Sequence, residues 1–530
     1  MPGVVPRTSS ERTARPSSGG GSSAGDSRRA FALLFLLTLL VRLPFLFEAM
    51  INWDESTFLL MGADILRGHL PYEHAWDNKP PLAFVPFAVV LAIFGKNVVG
   101  SRILGILLVS ASAWILRRAA GRIVGSGAAM WAAVLLVLFA GAPPGVFATM
   151  TEHLALPLLC LVLDRLLSRE DAHRRILGTG ILLGLAVLVR TNAAYACLGA
   201  AAGLWVLSPK RIVPRTAVLA AGCLLPALVA GIVYAGAGRL DLLVRSVIDA
   251  PLAYGSSGWL LRPEAIRRTA EYALRPEILL SVLAFAGGVL LLVRDAREGR
   301  VPGRPLAALA VFLLSLLLSM IGSGRLFGHY LIQVLPFVAI AAGRLFDRIA
   351  ASSLRLVLFA GLFVPAYPSL VQYGKLASRV AETGTVFSGR VYSAAEYLRE
   401  ERVAGETLFF PEHQILYLLT ETKIPTRFVH PSLLINEPIL KTIEGPGAST
   451  RSEILSIFGK GPRFVVKSEK IWYLRRFPEA EELIDGILAR DYRLVEEIES
   501  LRIYERRTDE DRVERRPMGP VGQSPVDRLE

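Results

Sequence analysis

Two adjacent carboxylates, in Ile51-Asn52-Trp53-Asp54-Glu55-Ser56-Thr57, follow directly on the first hydrophobic run of this chain. A second polar group, Trp76-Asp77-Asn78-Lys79-Pro80-Pro81, comes soon after. Glu152 opens a later apolar run (ATMTEHLALPLL), Arg190 closes the next (LAVLVRTN), and Arg325 and His329 sit in GSGRLFGHYLIQVLP. Charges beside a bilayer are expensive unless they are paired or used. Used together, they have a definite chemistry. A carboxylate that takes the proton of an incoming hydroxyl contributes roughly 10²–10⁴ in rate. Cations such as Lys79, Arg190 and Arg325 suit the phosphate that leaves as a glycosidic bond breaks. Asp54 then fits the base. Glu55 and Glu152 would support acceptor or sugar hydroxyls, with Asp77 and His329 completing the binding site. One base at one attacked carbon predicts inversion, since retention needs two carboxylates in succession. The structural alternative is a short helix from Asp54 to Gly68, N-capped by Asp54, with Phe58, Met61 and Ile65 on one face. The remaining charges would then be interfacial anchors or snorkelling side chains.

What must position these residues is a membrane domain. The chain has 530 residues, 52% of them hydrophobic, and a mean hydropathy of +0.45. Its apolar residues come in blocks near the roughly 20 residues that a bilayer requires. Candidate spans are 30–48, 98–116, 124–142, 151–167, 176–190, 193–208, 214–236, 276–293, 305–322, 328–346 and 353–371, about eleven helices. Alternate connections are basic. They carry Arg117, Arg118 and Arg122; Arg169, Arg174 and Arg175; Lys210, Arg211 and Arg215; Arg294, Arg297, Arg300 and Arg304; and Arg344, Arg348 and Arg355. Lys and Arg collect on the cytoplasmic side, which places the N-terminus there. Residues 49–97, Glu152, Arg190, Arg325 and His329 all fall on the other side, at one depth. The apolar stretch 82–94 is too short to span and would reverse every later loop, so it is expected as a helix in the outer interface.

The net charge of +13 is thereby spent largely on topology, and no nucleic-acid partner is expected. Cys160, Cys197 and Cys223 all lie in apolar runs, against a disulfide framework or a metal cluster. Residues 1–27, rich in Ser, Gly, Pro and Arg, are expected to be a disordered cytoplasmic tail, and 507–530 another. The run after Arg28-Arg29 shows no cleavage pattern and is expected as an uncleaved anchor. The membrane domain would cover 28–371. Residues 372–506 alternate strand-like runs (ETLFFP, TRFVHP, PRFVVKS, YRLVEEI) with helix-like ones (SAAEYLREER, HQILYLLTE, RSEILSIFGKG, PEAEELIDGILAR), as in an extracytoplasmic α/β domain. The long outer loop 237–275 is a candidate gate.

At these residues the chain resembles GT-C glycosyltransferases of the protein-mannosyltransferase and aminoarabinose-transferase type, close to bacterial Rgt-like members. The resemblance covers roughly 30–370. It rests on the order of Asp54-Glu55 after the first helix, Lys79-Pro80-Pro81 opening a juxtamembrane helix, Glu152 in the second outer loop, and Arg190 ending the fifth helix. It implies a polytopic GT-C fold in the cell membrane, Asp54 as the catalytic carboxylate, and a polyprenyl-phosphate sugar donor held among membrane lipid. The acceptor would be a glycan, lipid or protein outside the membrane. Asn78 stands where aminoarabinose transferases carry Glu, and Arg190 where Lys is common. The sequence leaves a divalent metal open and does not require one. The alternatives from other classes are a lipid-linked sugar flippase or other transporter, which would carry its charges near the bilayer midplane, and a non-catalytic scaffold presenting the C-terminal domain.

Overall fold

The computed structural model describes residues 24–142, 145–168, 172–255, 267, 270–271, 274–322, 327–351 and 353–508. Arg325, both chain ends beyond those bounds and the middle of the expected gate lie outside the described residues. The first helix already begins at Ala24, inside the stretch expected as a tail.

Every expected span coincides with a helix. In order these are α1 (Ala24–Arg42), then, after the outer-loop helices α2 (Trp53–Leu66) and α3 (Val85–Phe94), α4 (Val99–Val124), α5 (Ser126–Phe139), α6 (Thr151–Leu167), α7 (His173–Val189), α8 (Ala194–Leu207) and α9 (Ile212–Gly236). Helices Pro276–Arg297, Gly303–Gly322, Leu335–Ala350 with a preceding 3₁₀ turn Gly328–Val334, and Arg355–Thr383 follow. Among the described residues, five helices are long and apolar enough to cross a membrane. Others, such as the 14-residue α5 and α8, are shorter; α5 is heavily buried among its neighbours, whereas α8 buries only Ala196, Gly199, Ala200 and Gly203. At 10 residues, α3 rises about 15 Å, half a bilayer core. It packs back on α2, where a Cβ at Gly62 would meet the backbone of Phe87 and Ala88.

With lipid outside, helices gain little from apolar burial against one another, and small residues that let backbones approach become the glue. α7 and α9 cross at Gly180, Gly184 and Gly222. A Cβ on Gly180 would strike the Leu219 carbonyl, and one on Gly222 the Leu177 carbonyl. Gly343 likewise lies against Ala128 and Ala132 of α5.

The basic connections gather at one end of this bundle. Asp164 of α6 pairs with Arg118 and Arg122 of α4, each at 3.0 Å, and Asp295 with Arg300 and Arg344 at 3.1 and 2.6 Å. Arg165, Arg175, Arg215 and Arg304, from four different helix ends, line one cavity there. At the opposite end Arg190 pairs with Glu152.

Helix Arg355–Thr383 continues beyond residue 371, so the C-terminal portion expected as a soluble domain starts after it, at Gly384. Strands β1 (Phe464–Ser468), β2 (Tyr492–Ile498) and β3 (Leu501–Arg506) form an antiparallel sheet in the order β1-β3-β2. PRFVVKS and YRLVEEI supply β1 and β2; β3 lies in a segment not expected as a strand. ETLFFP makes a single parallel bridge, Phe409 to Val465, alongside β1. TRFVHP instead bridges out of the domain. Phe428 lies parallel to Trp76, with Trp76 N–H donating to the Arg427 carbonyl and Val429 N–H to that of Trp76. The four helix-like runs fall on helices Arg390–Glu400, Ile415–Leu419, Thr450–Gly459 and Pro478–Asp491.

This portion and the first outer loop share one core. Phe58, Trp76 and Phe84 belong to the same buried cluster as Phe409, Phe428 and Ile503. The described part of 237–275 joins them: it is helical from Leu240 to Gly255, and Ser246 accepts a bond from the Trp76 indole at 2.9 Å.

Candidate functional site

The N-cap of α2 is Asn52, whose side chain accepts the Asp54 N–H at 3.0 Å. Asp54 therefore does not cap, contrary to the sequence expectation. Asn is an equally good cap in extended backbone, and using it leaves the Asp54 carboxylate for other partners. That carboxylate is half-buried and faces His430 of the soluble portion, with Oδ1 3.1 Å from Nε2. On the far side of the ring, Nδ1 faces the Ser432 N–H at 3.3 Å and its hydroxyl at 2.9 Å. A backbone N–H can only donate, so Nδ1 accepts, the ring proton sits on Nε2, and His430 donates to Asp54.

Lys79 is the cation with the largest charge effect on Asp54. Burial works against an ionised Asp54, but Lys79 and His430 outweigh it and hold the carboxylate well below the usual range. Burial likewise opposes the Lys79 ammonium, and Asp54 and Asp77 together hold it above its ordinary value. The Lys79 Nζ lies 4.0 Å from Asp77 Oδ2 and donates to Asn78 Oδ1 at 3.0 Å. Asp77 is buried and also accepts the Lys79 N–H, so the turn WDNKPP folds around its own lysine. Tyr72 fixes that turn by donating to the Lys79 carbonyl at 2.6 Å.

A second group comes from the helix ends. Arg190, at the C-cap of α7, bonds Glu152 in the first turn of α6, and its guanidinium lies 4.3 Å above the Tyr330 ring. His329 Nε2 is 3.6 Å from Glu152 Oε1. Both groups act on one another: Asp54, Lys79, Glu152 and Arg190 all exert charge effects on His329. The structure thus brings Asp54, Asp77, Lys79, Glu152, Arg190 and His329 to one region at the end of the bundle opposite the basic loops.

Glu55 is elsewhere. One turn position from Asp54, it points into the bundle, 2% exposed, where Arg102 donates to Oε2 at 3.0 and 3.1 Å. Ser101 and the Thr149 N–H complete Oε1 at 3.0 and 2.8 Å. Every lone-pair direction is taken, and Arg102 also reaches the Phe45 carbonyl. This knot ties α2, α4, the turn after α1 and the second outer loop together.

Three donor atoms from Asp64, His69 and His74 lie within 4.8 Å of one another and are the described set able to hold a metal ion. They sit near the other end of α2, about 15 Å of helix rise from Asp54, so an ion there would brace the loop and not touch the Asp54 carboxylate.

Against this geometry the comparisons fall into place. Residues 78–234 match the family described as dolichyl-phosphate-mannose-protein mannosyltransferase. The fold is similar to ArnT from Cupriavidus metallidurans bound to undecaprenyl phosphate, with a TM-score of 0.60 at 14% identity, covering 91% of this chain and 98% of that one. It is similar also to the apo state of that protein, with a TM-score of 0.56 at 16% identity, covering 90% and 98%. Comparison with curated protein sequences gave no match. Residues 78–234 thus carry the likeness to the protein-mannosyltransferase family, and the fold of nearly the whole chain is similar to that of ArnT.

The matched segment contains Lys79, Glu152 and Arg190 and stops short of Asp54 on one side and His430 on the other. His430, Arg102 and Tyr330 are the residues of this candidate site that the sequence did not single out. Arg102 carried a signal, because it is a charge inside an expected span. His430 carried none: RFVHPS reads as an ordinary strand end, and only the fold brings it to Asp54.

Proposed function

We propose that this chain moves a sugar from a polyprenyl-phosphate donor to an acceptor on the extracytoplasmic side of the cell membrane, with inversion. The reading takes all eleven helical segments as crossing, the N-terminus as cytoplasmic, and the soluble portion as lying outside with the site. The observation that carries it is the partly exposed Asp54 carboxylate, on which Lys79 exerts the largest attractive charge effect, with Glu152 and Arg190 acting on the neighbouring His329. The similarity to a fold that binds undecaprenyl phosphate supports the same donor class.

In the proposed step the acceptor hydroxyl attacks the anomeric carbon. Its proton passes to Asp54, a new C–O bond forms, and the bond to the donor phosphate breaks with its electron pair going to the phosphate oxygen. Lys79 and Arg190 neutralise that charge as it develops. Lys79 has a second part. A carboxylate held far below the usual range is a weak base at neutral pH. A donor phosphate that draws the Lys79 ammonium to itself removes the largest influence holding Asp54 down, so donor binding raises the basicity of Asp54. His430 keeps the carboxylate aimed while this happens. Glu152 orients Arg190, its second oxygen accepting the Thr151 hydroxyl at 3.1 Å, and Asp77 holds Lys79 in the turn. His329 faces the same space from the tenth helical segment. Glu55 acts at one remove, by fixing the helix that carries Asp54.

The test is transfer in proteoliposomes with short-chain polyprenyl-phosphate sugars and a cell-envelope extract as acceptor pool, comparing wild type with Asp54→Asn. Labelled product from wild type and its loss by about 10²-fold or more in the variant is expected. Equal transfer by both would overturn the assignment of the base.

A further inference from the structure

A cavity of about 370 Å³ opens beside Trp53, between the start of α2 and the soluble portion. Its walls include Arg390, Glu412, His413, Lys470 and Trp472. Trp53 and Trp472 stack with centroids 5.0 Å apart and planes at 25°. Tyr473 abuts Trp53 edge-on and locks that ring. Trp472 is nevertheless 60% exposed, so a rigid indole is held in place with much of its surface uncovered. Its loop is held from below by buried Glu412, which accepts the Ser468 N–H at 3.1 Å and the Trp472 N–H at 3.4 Å.

His413 is the unexpected neighbour. It is 3% exposed, and neither ring nitrogen has a hydrogen-bond partner. Buried polar groups are almost always satisfied, so an orphaned one in a cavity wall points to a missing ligand. Burial pushes this imidazole down to about 4, which leaves it neutral at pH 7, with one donor and one acceptor.

A fixed aromatic surface, a neutral donor–acceptor pair and cations at the wall match one chemical class. A pyranose ring presents an apolar C–H face to an indole and a rim of hydroxyls that both donate and accept. An acyl chain would leave His413 unpaired, and an extended peptide would want a free strand edge, which the cavity wall does not offer. The cavity also leads to the chemistry, because Trp53 precedes Asp54 directly and its ring lies 5.8 Å from that of His430.

We propose that this cleft binds a saccharide unit of the acceptor, which makes the acceptor a glycan or glycoconjugate. Naming the ligand an acceptor rests on the transferase reading above; saccharide binding by the cleft does not. The test uses the full chain in lipid nanodiscs and saturation-transfer NMR with maltotriose, mannotriose and chitotriose as probes. Wild type is expected to give signal from at least one of them. Trp472→Ala, at an exposed position, and His413→Asn should each weaken its apparent affinity about 10-fold or more, while Asp54→Asn keeps it. No signal from any of the three, or equal affinity in Trp472→Ala, would overturn the proposal. Binding without transfer in wild type would strike the transferase reading and leave the cleft standing. Transfer without binding would strike the cleft alone.

Discussion

Asp54 Oδ1 and His430 Nε2 lie 3.1 Å apart although one belongs to the first outer loop and the other to the soluble portion near the chain's end. The contact is not isolated. Gln414 donates to the Trp53 carbonyl at 3.0 Å, and Arg427 to that of Tyr72 at 2.6 Å. The soluble portion therefore holds both ends of the loop segment that carries Asp54 and Lys79, and it supplies a group to the carboxylate itself. In this protein it contributes His430 directly to the candidate site.

His430→Ala removes a hydrogen bond to an ionised carboxylate, a loss of about 1.5–3 kcal/mol, or roughly 10–100-fold in rate where aim is what matters. The loss should fall on kcat, with the donor KM little changed, because His430 touches no phosphate-binding cation. Steady-state kinetics with a labelled donor separates the two. A rise in KM at constant kcat would show His430 binding substrate instead of positioning the base.

Lys79→Met tests the coupling of the lysine to the base. With Lys79 gone, burial is opposed only by the histidines, and the Asp54 pKa must rise. In wild type the free enzyme should show no loss of kcat/KM from Asp54 as pH falls through the ordinary carboxylate range near 4. In the variant an acid limb should appear there or above, on top of a raised donor KM. The stability linked to Asp54 has the same sign. A depressed folded pKa contributes stability that is present above the unfolded value and lost as pH falls through the folded one, so the variant should lose it at higher pH. Coincident acid limbs in the two proteins would refute the coupling.

Much of this was legible in the sequence because membrane helices are written in long apolar blocks and their orientation in loop charge. The helix at each expected span, the half-length α3 and the gathering of the basic loops all follow from composition and length. So does the co-location of Lys79, Glu152 and Arg190, since each sits at a helix end on the same side. What was not legible depends on rotation about a helix and on long-range docking. Asp54 and Glu55 are adjacent in sequence, yet a helix turns each residue away from its neighbour, sending one to His430 and the other to Arg102. The cap at Asn52 was hidden because Asp54 fits the same preference. TRFVHP reads as a strand by composition, but it spends its backbone on Trp76, and nothing local announces that partner.

Arg102→Leu leaves Glu55 as a buried charge without its cation, which costs about 3–5 kcal/mol. Glu55→Gln can keep at most two of the four bonds, because one acceptor oxygen becomes a donor, and it leaves Arg102 as a buried unpaired cation, so its cost should be of the same order. Both should lower the thermal midpoint in detergent, and Glu55→Gln should leave the donor KM unchanged in the folded fraction. A change in KM without a change in midpoint would return Glu55 to the substrate-facing role that its neighbour holds.

Arg190→Lys keeps the charge but loses the planar guanidinium that lies over Tyr330 and meets Glu152. A lysine there is a point charge on a flexible stem, a poor substitute where stacking and paired geometry set the direction. The variant should bind donor about 10-fold more weakly, the order of one lost stacked contact, with the Asp54-dependent acid limb unmoved. Tyr330→Phe separates the two causes, since it keeps the ring and removes only the hydroxyl. It should leave donor affinity near wild type if stacking is what holds Arg190, and a drop equal to that of Arg190→Lys would assign the effect to the hydroxyl.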